Sequence, residues 1–127
     1  FIARHNLTDF QMNPHFPIIT LQLMRAATAA EGDGYLMDFI DAMLPCVWEK
    51  GLKMDDPEVI RTAFIEAGFD ADKLFEQMGS DEVKGRLVAN TQTAVDRGAF
   101  GVPTFFVGDE IFFGKERLGQ VEEMLQA

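Results

Sequence analysis

The chain's 127 residues, 47% apolar and 25% charged, describe one soluble globular domain and exclude disordered, collagen-like and disulfide-scaffold classes. Acids outnumber bases 21 to 11, and the net charge of −10 repels phosphate backbones and anionic bilayers, so neither nucleic acid nor a membrane is an expected partner. The single cysteine, Cys46, makes neither an internal disulfide nor a C-x-x-C pair, no apolar run reaches a membrane span and no secretory leader opens the chain, all of which suits a reducing, cytoplasmic setting.

The first stretch, residues 1–18, starts with what suits the tail of a helix, Phe1 to Asn6. Asp9-Phe10-Gln11-Met12 then alternates polar and apolar, which predicts a short strand, and Asn13-Pro14-His15-Phe16-Pro17 predicts a loop. His5 and His15 have no ligand partners at metal-binding spacing, so no metal is expected.

Helical punctuation dominates to residue 98. Thr20 is placed to cap a helix running to Glu31, with Gly32 after it. Leu36, Phe39, Ile40, Met43, Leu44, Val47 and Trp48 form a full apolar stripe of a second helix, stopped by Gly51. Pro45 falls inside that helix and predicts a kink or a break, with Cys46 just past it. Asp56-Pro57 reads as N-cap and first residue of a third helix closing at Gly68. Asp70 and Ser80 are placed to cap a fourth, to about Met78, and a fifth, to about Arg97, closed by Gly98. The Met and Phe stripes read as core.

Val102 to Val107 and Ile111 to Phe113 predict two strands joined by a Gly108-Asp109 hairpin, and a last helix carries Leu118, Val121, Met124 and Leu125 on one face. Strands near both ends are expected to pair in a three-stranded sheet, with the helical block as an insertion. One covering helix is thin for 12 phenylalanines, so further sheet partners are expected to precede Phe1.

The run Gly98-Ala99-Phe100-Gly101-Val102-Pro103-Thr104-Phe105-Phe106-Val107-Gly108-Asp109-Glu110-Ile111-Phe112-Phe113-Gly114-Lys115-Glu116-Arg117-Leu118 resembles the C-terminal signature of the 2-hydroxychromene-2-carboxylate isomerase family. So do Met12 to Pro17, Thr20-Leu21, Met24-Arg25 and Asn90-Thr91. That family is related to kappa-class glutathione transferases and has a DsbA-like thioredoxin fold. The resemblance implies an α/β, thioredoxin-like fold, mostly helical by residue count, with residues 1–18 and 99–127 as its incomplete core and 19–98 as an all-helical insertion. It also implies that the catalytic serine lies before Phe1. Ser80 reads as a helix cap, so this chain alone is expected to be inactive.

The resemblance further implies a glutathione-dependent isomerase of aromatic catabolism in bacteria, acting by thiolate addition, bond rotation and elimination. Glutathione is the expected cosubstrate and a homodimer the expected assembly. A cis Val102–Pro103 bond is implied, turning the Val102 backbone toward glutathione's cysteinyl portion; read from the residues alone, Pro103 merely begins a strand. Phe113, Gly114, Lys115 and Glu116 mark a strand-to-helix handover suited to the γ-glutamyl end, with Glu116, where the family usually has Asp, facing the ammonium or simply favouring the helix start. Arg117 reads as a surface or packing residue, with a weaker case for binding. Asn13, His15 and Phe16 either line a pocket for a flat, anionic aryl substrate or form a loop held by two prolines. Pro45, Cys46 and Trp48 face the same cleft or pack in the core. Two other readings share this fold: a DsbA-like thiol oxidoreductase or kappa-class-like transferase, and a non-enzymatic interaction module.

Overall fold

The structure, a computed structural model, describes residues 1–126. Six α-helices and one two-stranded sheet follow in chain order among the described residues. They form two compact units, Phe1–Leu87 and Val88 onward, the boundary falling within the fifth helix.

In the first unit, α1 spans Leu21–Asp33 and α2 spans Leu36–Trp48. The end of α1 lies beyond the predicted Gly32. The helix closes at Gly34, whose φ of 85° is the left-handed conformation that a C-terminal glycine adopts without steric cost. Gly32 stays helical under the Arg86 guanidinium, where a Cβ would press on Nη1. Thr20 makes no side-chain cap bond; the α1 hydroxyl that does work inside the helix is Thr28, donating to Met24 O at 2.8 Å.

Helix α2 is continuous through Pro45, where the sequence predicted a kink or a break. The proline sits within the last turn, so only one ladder bond is lost and the Pro45 carbonyl still accepts from the Glu49 and Lys50 N–H groups, both at 2.9 Å. The helix ends at Trp48, before Gly51.

Helices α3 (Pro57–Glu66), α4 (Ala71–Gly79) and α5 (Asp81–Asp96) start as their caps predict. The Asp56 carboxylate accepts from Glu58 N–H, that of Asp70 from Lys73 N–H, and the Ser80 hydroxyl from Val83 N–H. The core is aromatic: Phe39 meets both Phe64 and Phe69 with ring centres 5.7 Å apart, and Phe64 meets Phe75 at 5.9 Å. Phe64, Met54, Ile60 and Leu74 are fully buried among α1 to α4.

Residues 9–12 are not a strand, and no three-stranded sheet forms among the described residues. Residues 2–6 are turns rather than a helix. The polar–apolar alternation of 9–12 serves a different purpose: Gln11 N–H donates to Trp48 O at 2.7 Å, and the Phe10 ring stacks on Trp48 at 5.9 Å. The segment's backbone bond therefore goes to the end of a helix.

In the second unit, β1 (Thr104–Val107) pairs antiparallel with β2 (Glu110–Phe113), Thr104 opposite Phe113 and Val107 opposite Glu110. The two-residue Gly108-Asp109 connection is as predicted, with positive φ at Gly108. A 3-10 turn, Lys115–Arg117, leads into α6 (Leu118–Gln126), whose Val121 is buried while Leu118 and Leu125 are exposed. The Arg97 guanidinium lies 3.9 Å from the centre of the Phe106 ring. No helix among the described residues is long and apolar enough to cross a membrane.

Candidate functional site

The second unit brings Val102, Pro103, Phe113, Gly114, Lys115 and Glu116 together. Gly114 N–H donates to Pro103 O at 3.0 Å, which ties the start of β1 to the end of β2. Thr104 Oγ1 donates to Gly101 O at 2.7 Å, and a Cβ at Gly101 would stand 2.7 Å from the Phe113 ring. The chain at 101–104 is thus fixed from both sides. Between those ties, Val102 is 91% exposed, and nothing among the described residues pairs with its backbone N–H or C=O. The Val102–Pro103 bond is cis, as the resemblance implied; Phe16–Pro17 is a second cis bond that the sequence did not announce.

Gly114 has φ of 96°, the left-handed region that favours glycine; a Cβ there would meet only the movable end of the exposed Glu116 side chain. Glu116 is paired with the Lys115 ammonium. That bond, followed by the Glu116 N–H, holds its carboxyl below the usual carboxylate range. The start of the last helix differs from expectation. The intervening 3-10 turn consumes the Arg117 N–H, bonded to Gly114 O at 3.1 Å, and the Leu118 N–H, bonded to Lys115 O. Fewer free donors face an anion here than a bare helix start would offer. Arg117 lies at the surface with Nη1 donating to Gln120 Oε1 at 3.2 Å.

In the first unit, Asn13 is buried while its neighbours Pro14, His15 and Phe16 are exposed. Its amide donates to Val47 O at 2.9 Å and Leu52 O at 2.8 Å, and its Oδ1 accepts from His15 N–H at 2.8 Å. All three bonds are to backbone, so the amide is committed to the chain itself, and His15 and Phe16 are the members of that trio presented outward. Gln11 adds a bond from its amide to Glu49 O. Sequence reasoning missed this capping of α2, because donors and carbonyls stand 34 to 39 residues apart. Gly51 was the visible signal: its φ is 63°, and a Cβ there would press on Pro14 Cδ at 3.0 Å.

Pro45 and Cys46 line a cleft of about 280 Å³ with Asp41, Lys50 and Glu66. Trp48 lines a different one, of about 400 Å³, with Phe10 and Leu44. Cys46 is buried, its Sγ 3.4 Å from Ala42 O, and burial pushes its thiol up. Ser80 is a cap on both sides, donating to Gln77 O and accepting from Val83 N–H.

The sequence profile of the DSBA-like thioredoxin domain matches residues 2–126. The chain belongs to that family. It is 34% identical over 100 residues to a 2-hydroxychromene-2-carboxylate isomerase of Sphingobium xenophagum, covering 79% of this chain and 51% of that protein. Proteins of the same name from Pseudomonas sp. (strain C18) and Pseudomonas putida match at 30% over 84 residues and 28% over 87; the matches cover 66% and 68% of this chain, and 40% and 43% of those proteins. A solved 2-hydroxychromene-2-carboxylate isomerase superposes with a TM-score of 0.70 at 23% identity, covering 92% of this chain and 57% of that one. The fold of this DSBA-like chain is therefore thioredoxin-like and mostly helical, and the likeness read from residues 98–118 holds. The chain spans about half the length of the curated relatives it matches.

Proposed function

We infer that the whole protein is a glutathione-dependent isomerase of the 2-hydroxychromene-2-carboxylate type. The observation that carries this reading is the fixed, unpaired Val102 backbone just ahead of β1, beside the Gly114–Glu116 turn, in a chain whose relatives bear that isomerase name. An extended peptide pairs with such a backbone as one more strand would, through the amide of its middle residue. Val102 N–H and C=O take glutathione's cysteinyl portion, and Glu116 takes the γ-glutamyl ammonium. His15 and Phe16 offer an imidazole for a carboxylate and a ring for an aryl face.

The reaction is redox-neutral. The glutathione thiolate adds to the carbon–carbon double bond conjugated with the substrate's carbonyl, forming a C–S bond while the π pair moves to the carbonyl oxygen as an enolate and the former double bond becomes single. Rotation about that single bond follows, and elimination breaks the C–S bond, restores the double bond and returns glutathione. The chain's own contribution at the Val102 backbone is to hold the glutathione thiol in place for attack. Thiol–disulfide chemistry, the rival for this fold, gains nothing from Cys46, which is buried and holds its proton. Assaying the whole protein on 2-hydroxychromene-2-carboxylate, with and without glutathione, tests the reading. Turnover that requires glutathione supports it; turnover indifferent to glutathione, or none, removes it.

A further inference from the structure

We propose that Thr104 is a positioning residue for glutathione, its hydroxyl holding Gly101 so that the exposed Val102 backbone next to it keeps one orientation; this rests on the reading of Val102 as the partner of glutathione's cysteinyl portion. Val102 stands between two neighbours that are held in different ways. On its C-terminal side, Pro103 O accepts from Gly114 N–H at 3.0 Å, a tie made by backbone alone. On its N-terminal side stands Gly101, the residue type with the widest backbone freedom, and among the described residues it makes no backbone–backbone bond. The polar tie on that side comes from a side chain: Thr104 Oγ1 donates to Gly101 O at 2.7 Å.

The same cross-strand pair supplies an apolar stop. Thr104 lies opposite Phe113 in the ladder. The Phe113 ring lies against Gly101, where a Cβ would stand 2.7 Å from it, and against Phe100, with ring centres 4.6 Å apart. Gly101 is therefore held by a hydroxyl and a ring, both carried by strand residues, while Val102 beyond it is 91% exposed with its N–H and C=O unpaired. A chain already ordered around a free N–H and C=O suits an incoming extended peptide, because little freedom is lost on binding. Thr104 is β-branched and half-buried in β1, so its own rotamer is restricted. Without its hydroxyl, one side of Val102 hinges on a glycine. The hydroxyl acts through the backbone and touches no glutathione atom.

Titration calorimetry of the whole protein with reduced glutathione, on the parent and three variants, tests this. Thr104→Val keeps the branched shape and the strand preference but removes the donor, and is expected to weaken glutathione binding about three- to tenfold, the range of one hydrogen bond. Thr104→Ser restores the donor and is expected to bind within about twofold of the parent. Hydrogen exchange of the Gly114 amide reports the other tie and is expected to stay within about threefold of the parent in Thr104→Val, which separates a local effect from loosening of the whole hairpin. Gly101→Ala leaves the hydroxyl and its acceptor in place but presses on the Phe113 ring; it is expected to weaken binding in the same direction, and it decides the matter if Thr104→Val does not fold. Binding by Thr104→Val as tight as the parent's overturns the proposal, and if only Gly101→Ala folds, unchanged binding by it does the same. A Thr104→Ser variant as weak as Thr104→Val also overturns it, as does a Gly114 amide that loses protection in step with affinity. A parent that gives no heat with glutathione removes the reading of Val102, and the proposal falls with it; a parent that binds beside an unaffected Thr104→Val removes the proposal alone.

Discussion

Glu116 shows how little separates a local contact from a ligand contact. Its carboxylate already holds an ammonium, that of Lys115, so under the proposed reading binding the γ-glutamyl ammonium would exchange one cation for another. Glu116→Gln is therefore expected to weaken glutathione binding about tenfold, in the range of one charge-assisted hydrogen bond, measured by calorimetry. The sign of its pH dependence follows from the depressed pKa. A carboxyl held below its ordinary value stays charged as pH falls, so the Glu116 contribution is flat from neutrality down to the usual carboxylate range and is lost only beneath it. Cys46 is the opposite case. Burial raises its thiol, so the protonated form persists above the ordinary thiol range, and iodoacetamide at pH 8 is expected to leave it unmodified until the protein unfolds. At Gly32 two small effects compete. A methyl there displaces Arg86 from its exposed pair with Glu31, worth about 0.2–1 kcal/mol, while alanine in place of glycine gains about 0.5–1 kcal/mol in a helix. Gly32→Ala is expected to leave the melting temperature unchanged or slightly raised.

Among the elements, α3 to α5 were legible because their signals act within four residues: Asp56 before Pro57, Asp70, and Ser80 each reach an N–H two or three positions on. The β1–β2 hairpin was legible for the same reason, through Gly108. The Asp9–Met12 segment was misread because its partners are distant. Alternation with period two says only that one side is apolar, and here Phe10 of that side docks on Trp48, Met12 stays exposed and the backbone meets the end of a helix. The continuity of α2 through Pro45 was hidden too, since the cost of a proline depends on how many turns follow it, and here less than one does. Pro45→Ala restores one N–H donor toward Asp41 O and is expected to stabilise the protein by about 1–2 kcal/mol, after the larger entropy of the unfolded alanine chain is subtracted; urea unfolding measures it. Of the candidate site, the Val102 and Glu116 segment was readable as one continuous signature, whereas the Asn13 clip depends on carbonyls of a helix that sequence cannot bring near.

At the scale of the whole molecule, net charge and the proposed glutathione site are tested separately. With 21 acids against 11 bases, the folded chain repels itself, and its described ion pairs are solvent-facing and individually weak. Screening is therefore expected to help more than it harms, and the melting temperature should rise between about 20 and 150 mM sodium chloride. Everything proposed for this chain depends on the Val102 backbone and the Gly114–Glu116 turn binding glutathione. Titration calorimetry of the whole protein with reduced glutathione tests it most directly. Saturable one-to-one binding that Glu116→Gln weakens about tenfold is expected; no heat of binding, or an isotherm that Glu116→Gln leaves unchanged, would rule the site out.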